Sequence, residues 1–262
     1  MDHTPPEGSL RSPSGGDPEK HRPLERRTAV RTAVVWDAVR ALLEGSGELQ
    51  VLDIGGGTGG FAVRLAEQGH QVTVVDPSPD ALAALGRRAA ESDVADRVTG
   101  VQGDLAGLPD LVPDVVTDEA DLVLCHGVLG ILEDPAAGLA TIGGVLRPGG
   151  TLSLLVGQRH AAVLARAMAG HFRQAVAALD GTGDDTSGER RFTAPEVTDL
   201  LAGSGFTPQA VHAVRVFADL VPGSLHDLEP GAGAALLDLE RAVADRPEYL
   251  TLAAQVHVLA TH

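Results

Sequence analysis

Three glycines and three acids carry the spacing in this sequence that could do chemistry. Val51-Leu52-Asp53-Ile54-Gly55-Gly56-Gly57-Thr58-Gly59 runs an apolar stretch, interrupted by one carboxylate, into a glycine loop. Glycine lets a chain leave a strand, turn tightly and bring its backbone close to a ligand. Asp76 follows the next apolar run, Gln71–Val75, and Asp104 follows the one after, Val98–Gln102. A carboxylate at Asp76 can accept hydrogen bonds from both hydroxyls of a ribose. Asp104, with Leu105 beside it, is placed to reach an adenine amino group. Each acid alone reads equally well as a helix cap or turn residue. All three in this order, each at the end of a successive apolar run, describe the edge of one ligand site.

The position of Asp53 selects among ligands. Nicotinamide and flavin enzymes use a related glycine loop to hold a pyrophosphate, and a carboxylate two residues before the first glycine would repel it. S-adenosylmethionine carries no phosphate, and its ammonium group tolerates a nearby acid. The sequence therefore points to adenosylmethionine bound by Asp53, Gly55, Gly56, Gly57, Gly59, Asp76, Asp104 and Leu105. No Ser/His/Asp set is apparent, and the ten histidines show no zinc-ligand spacing. No metal is expected.

The elements that must position these residues alternate. Strands are expected at 50–54, 71–75, 98–102, 121–125, 151–156, 206–217 and 252–261. Helices are expected from Leu24 to Leu43 and over 61–68, 79–91, 135–146, 161–179 and 195–202. Short apolar strands separated by helices imply parallel βαβ units buried on both faces. A helical excursion at about 219–249 interrupts the rhythm before the last strand. Arg147-Pro148-Gly149-Gly150 reads as a turn, and Asp180–Glu189 as a polar loop. Trp36 reads as a packing anchor, and Met168 with Phe172 as core. The expected architecture is one α/β domain over 23–262: a mostly parallel seven-stranded sheet with helices on both faces. Residues 1–22, rich in Pro, Gly and charge, are expected to form a disordered tail.

Composition narrows the setting. Hydrophobic residues are 44% and aromatics 3%, so the core must be aliphatic. A lone cysteine, Cys125, offers no internal disulfide, no run approaches a membrane span, and the first residues lack a signal-peptide pattern. A cytosolic location is the expectation. The net charge of −16 disfavours broad contact with a phosphate backbone, though a local arginine patch stays possible, since Lys20 is the only lysine.

The glycine loop, the ordered acids and Leu146-Arg147-Pro148-Gly149-Gly150 resemble class I S-adenosylmethionine-dependent methyltransferases, whose fold is Rossmann-like. Further stretches resemble the bacterial methyltransferases that esterify 5-carboxymethoxyuridine at the tRNA wobble position. These are Val30–Trp36, Gly69–Thr73, His126-Gly127-Val128-Leu129, Met168–Phe172, Val214–Asp219, Leu237–Glu240, Tyr249–Leu252 and Val256-His257-Val258. The resemblance implies that Arg31 and His126 also hold the cofactor. It implies a carboxylate acceptor, ionised near neutral pH, which needs no strong base to attack the sulfonium methyl. Arg215 is the first candidate to grip that carboxylate, with Arg191 and His257 behind it.

The sequence departs from the family pattern on the acceptor side. Ala254-Gln255 stands where the family has Arg-Tyr, Gly130 where an acid usually follows His-x-Val-Leu, and Val156–His160 where Phe-Tyr-Asn-Ala-His is usual. Three functions stay open at this point: a tRNA carboxyl methyltransferase, a methyltransferase of a small natural-product-like acid, and a catalytically silent cofactor-binding protein.

Overall fold

A computed structural model describes residues 32–108, 111, 119–179, 189–221 and 231–262. The expected tail, Arg31, most of the expected polar loop and part of the helical excursion lie outside the described residues.

Helix α1 covers residues 32–43. It is followed by β1 (Gln50–Ile54), α2 (Ala62–Ala66), β2 (Gln71–Asp76), α3 (Pro79–Glu91), β3 (Val98–Gln102), β4 (Ala120–His126) and α4 (Pro135–Gly143). Then come β5 (Leu146–Gly157), α5 (Arg159–Met168), α6 (Phe172–Leu179), α7 (Ala194–Gly203), β6 (Thr207–Val214), α8 (Ala232–Val243), α9 (Pro247–Leu250) and β7 (Gln255–Thr261). The helix starts are written locally. Ser78, Asp134 and Thr193 each accept a backbone N–H of the first turn, and a proline at the start of the helix follows each cap. Thr193 and Glu196 complete a capping box.

The strands form one seven-stranded sheet in the order β3-β2-β1-β4-β5-β7-β6. Strands β1 to β5 run parallel, and β7 is antiparallel to both neighbours, so β6 again runs with β5. Chain order reverses between β1 and β4, which opens a crevice at the carboxyl edge where such sheets bind ligands.

Strand periodicity sorts the core into two layers. Leu52, Ile54, Val123, Cys125, Leu152, Leu154, Val256 and Val258 pack on one face with α4 and α7. Val51, Val72, Val74, Leu122 and Leu124 pack on the other with α1, α2 and α3. Trp36 anchors α1 there, with Phe61 6.0 Å away and the Arg64 guanidinium 3.8 Å above its ring.

Several expectations change. The strand expected over 206–217 ends at Val214, which leaves Arg215 just beyond it. The helix expected over 135–146 ends at Gly143, and β5 starts at Leu146, taking in the segment read as a turn. The helix expected over 161–179 is two, separated at Gly170, whose φ of 76° no regular helix accommodates. The last strand begins at Gln255 rather than Leu252. Met168 and Phe172 are 66% and 67% exposed, so they are surface and not core. Periodicity shows which residues share a helix face but not whether another element covers that face.

Candidate active site

The carboxyl ends of β1, β2, β3 and β4 bring the ordered acids and the glycine loop to one edge. Gly57 N–H donates to Asp76 Oδ2 at 2.9 Å, and Ser78 N–H donates to Asp76 Oδ1 at 2.9 Å. Asp76 thus ties the loop after β1 to the end of β2, and each oxygen keeps lone-pair capacity for a further donor. Gly57 has φ of 55°, a left-handed conformation that a side chain strains. At Gly56 a Cβ would come within 2.5 Å of Asp53 Oδ2. Only glycine lets the loop pass over that carboxyl.

Asp53 is buried, 3% exposed, and points into the face that holds Val51 and Val74. Burial, reinforced by the charge on Asp76, pushes its carboxyl up to about 7. The sequence reading treats Asp53 as a fixed anion. In the folded chain its charge near neutral pH instead depends on what binds beside it.

Asp104 is exposed, and its Oδ1 accepts the Gly107 N–H at 2.9 Å, the turn role that its residue type allows. Leu105 is 2% exposed and its side chain belongs to the core, so only its backbone is left for a ligand. His126 ends β4, with the Phe61 ring 4.9 Å away edge-on. Burial lowers its pKa to about 4, which keeps the imidazole neutral. Burial also pushes the Cys125 thiol, one residue earlier, up to about 12, leaving it unreactive.

The other half of the same edge carries a cavity of about 530 Å³ where β5, β6 and β7 meet α5. Gly157, Val214 and Gln255 are in register there. The wall includes Ala161, Ala165 and Arg166 from α5, then Glu189 and Arg191, and Arg215, Asp219 and Gln255. Two of the proposed acceptor residues, Arg215 and Arg191, are therefore brought together. His257 is not on this wall. It is wholly buried in the sheet, bonded to Ser153 and stacked on His212.

Arg215 takes φ of 62°, rare for a side-chain-bearing residue. Strain of this kind persists where the surroundings over-determine it. Its Nη1 donates to Gln255 Oε1 at 3.2 Å and its Nη2 to the Asp219 carboxylate. Among the described residues its Nε is buried without a hydrogen-bond partner, a donor that favours an incoming acceptor atom.

Glu240 closes the Leu237–Glu240 stretch, and the sequence gives it no role of its own. This carboxylate on α8 is wholly buried and accepts the N–H groups of Val216 at 2.9 Å, Phe217 at 2.8 Å and Ala218 at 2.7 Å. It clamps the three residues after Arg215. A buried glutamate on an amphipathic helix leaves no periodic signal, and its partners lie more than twenty residues away.

The missing acid at Gly130 also has a spatial reason. A Cβ there would sit 2.6 Å from the Arg190 carbonyl oxygen and 3.0 Å from Glu189 Cγ. Arg190 N–H donates to the Gly130 carbonyl at 2.7 Å, so the segment that supplies Glu189 to the cavity wall occupies the space of a side chain at 130.

Comparison with known proteins fits this arrangement. Residues 52–152 match the methyltransferase domain family. The chain is 32% identical over 234 residues to the tRNA 5-carboxymethoxyuridine methyltransferase of Escherichia coli, covering 88% of this chain and 87% of that one. It is 32% identical over 151 residues to the ubiquinone biosynthesis O-methyltransferase of Xanthomonas campestris, covering 57% of this chain and 58% of that one. Among solved structures it shares its fold with an S-adenosylmethionine-dependent methyltransferase from Mesorhizobium loti. That match has a TM-score of 0.57 and 23% identity, covering 89% of this chain and all of that one. Among the described residues no helix is long and apolar enough to cross a membrane. With a glycine loop and ordered acids on one half of the sheet edge and an arginine-lined cavity on the other, the chain belongs to the class I S-adenosylmethionine-dependent methyltransferases, in the family that includes the tRNA 5-carboxymethoxyuridine methyltransferase.

Proposed function

We propose that this enzyme methylates a carboxylate oxygen, and that its acceptor is the carboxymethoxy group of a modified wobble uridine in tRNA. The observation that carries the reading is Arg215. It stands in a strained conformation on the wall of a cavity at the same sheet edge as the glycine loop, with one guanidinium nitrogen that has no partner among the described residues. Arg215 grips the acceptor carboxylate and Arg191 supports it. The cofactor rests on the backbone of Gly55 to Gly59, with its ribose on Asp76 and its adenine beside Asp104 and the Leu105 backbone. Its cationic end lies near Asp53, and His126 flanks the methyl group. Arg31 pairs with the cofactor carboxylate.

When bound, S-adenosylmethionine would supply an electrophilic sulfonium methyl group, toward which Arg215 and Arg191 would hold the acceptor oxygen. The carboxylate arrives ionised, so no proton need be removed. The protein's contribution is alignment and charge placement. A cytosolic setting accompanies this reading.

Calorimetry with S-adenosylmethionine and S-adenosylhomocysteine tests the cofactor half. Incubation with tRNA bearing the free wobble carboxylate then tests the acceptor half, by mass spectrometry of the nucleosides. Cofactor binding without tRNA methylation refutes the acceptor assignment. A small-molecule acid is the second reading. Gln255 supports it, since it replaces the family's aromatic residue and is bonded to Arg215 in the cavity. The volume of about 530 Å³ also falls within the usual range of small-ligand pockets.

A further inference from the structure

Four neighbouring strands each place a polar side chain on one face of the sheet. His126 is opposite Leu155, Leu155 opposite His257, and His257 opposite His212. Ser153, two residues before Leu155, shares that face. The contacts are continuous. His126 Nε2 lies 2.9 Å from Ser153 Oγ, and Ser153 Oγ lies 2.8 Å from His257 Nε2. His257 Nδ1 lies 3.1 Å from His212 Nδ1, and His212 Nε2 lies 3.5 Å from the Asp245 carboxylate.

The direction of this line follows from its outer end. A neutral imidazole has one protonated and one bare nitrogen. Burial lowers the pKa of His126, His257 and His212, and the neighbouring rings oppose a charge on His257 further. All three rings are therefore neutral near pH 7. The Asp245 carboxylate accepts only, so its charge favours the proton of His212 on Nε2. His212 Nδ1 is then bare, and His257 must carry its proton on Nδ1. His257 Nε2 is then bare and accepts the Ser153 hydroxyl. That hydroxyl has spent its hydrogen, so its oxygen accepts from His126, whose proton is on Nε2. His126 Nδ1 is left with a lone pair and no hydrogen.

We infer that Asp245, His212, His257 and Ser153 are positioning residues that hold His126 in its Nε2-protonated tautomer, so that His126 serves the cofactor edge as a hydrogen-bond acceptor and not as a donor. Groups that bear a proton, such as the cofactor ammonium or a hydroxyl or amine on a methyl acceptor, can bond to it. The inference rests on the placement of His126 in the cofactor site proposed above. It gives His257 a role through His126 in place of contact with the acceptor.

The test needs no methyl acceptor. Protein labelled with 15N-histidine reports ring tautomers in long-range proton–nitrogen spectra at pH 7.5. The expected pattern is Nε2–H at His126 and His212 and Nδ1–H at His257. Asp245 is an exposed side chain, so Asp245→Ala is expected to leave the melting temperature unchanged. It should introduce the second tautomer at His212 and His126 and weaken S-adenosylhomocysteine binding severalfold by calorimetry, with Asp245→Glu restoring both. An Nδ1 proton on His126 in the unmodified protein overturns the inference. So does an Asp245→Ala protein with unchanged tautomers or unchanged affinity. Failure of the unmodified protein to bind S-adenosylhomocysteine at all would overturn the cofactor placement instead, and the tautomers would still be readable.

Discussion

A carboxyl with a pKa near 7 gives the proposed cofactor site a pH dependence of definite sign. In the ligand-free protein, protonated Asp53 contributes stability that is fully present below its unfolded value of 3.8 and is lost as pH rises through about 7. Melting temperature should therefore fall between pH 5 and 8 on account of Asp53, and Asp53→Asn should flatten that slope. A bound ligand with positive charge beside Asp53 favours the ionised form. Affinity for S-adenosylmethionine should accordingly rise with pH through about 7, with proton release visible as a dependence of the calorimetric heat on buffer. The Asp53→Asn protein should lack both. The neighbouring loop is less tolerant. Gly57→Arg forces a side chain onto a left-handed residue, and Asp76→Ala removes the carboxylate that receives the Gly57 N–H. Either should reduce cofactor binding below calorimetric detection in a protein that still melts cooperatively.

Helix α8 acts on the cavity beside Arg215 through the three residues that follow it. Glu240→Gln keeps the side-chain shape but replaces one accepting oxygen with an NH2 group. At least one of the N–H groups of Val216, Phe217 and Ala218 then faces a donor. The expected loss is about 1–3 kcal/mol by denaturant unfolding, with faster amide exchange confined to 216–218 and unchanged cofactor affinity. Helix α6 makes the opposite case. Phe172, Val176 and Leu179 are each more than half exposed, so Phe172→Ser should change stability by no more than about 0.5 kcal/mol. A core phenylalanine would cost several times that, so unfolding midpoints distinguish the two.

Across the whole molecule, the proposed function divides cofactor and acceptor roles along one sheet edge. The strands β3, β2, β1 and β4 carry the loop and the acids, and β5, β7 and β6 carry the cavity. This division predicts separable losses. Arg215→Ala should lower turnover on the free-carboxylate tRNA at least tenfold, the scale of a lost charged contact, while S-adenosylhomocysteine affinity stays within twofold of the unmodified protein. Equal loss of both would show that Arg215 serves the cofactor. The net charge of −16 leaves local arginines, and not a general positive field, to meet the proposed anionic acceptor.

The sequence by itself determined the sheet, its parallel character and the gathering of the glycine loop and ordered acids at one edge. These depend on short-range signals: apolar runs of strand length, proline and cap residues at helix starts, and glycines where only glycine fits. Helix α3 and strand β3 were legible to the residue because Pro79, Ser78 and the flanking turns are local. Only the tertiary structure decided which side chains meet across strands. Asp53 acquires its raised pKa from burial beside Asp76, twenty-three positions away in the chain. His257, a contact candidate in the sequence, is buried because β7 inserts between β5 and β6. Glu240, Gly130 and the exposed faces of Met168 and Phe172 follow the same rule. Burial, hydrogen-bond partners and charge are properties of the neighbours that folding supplies, and a linear pattern does not contain them.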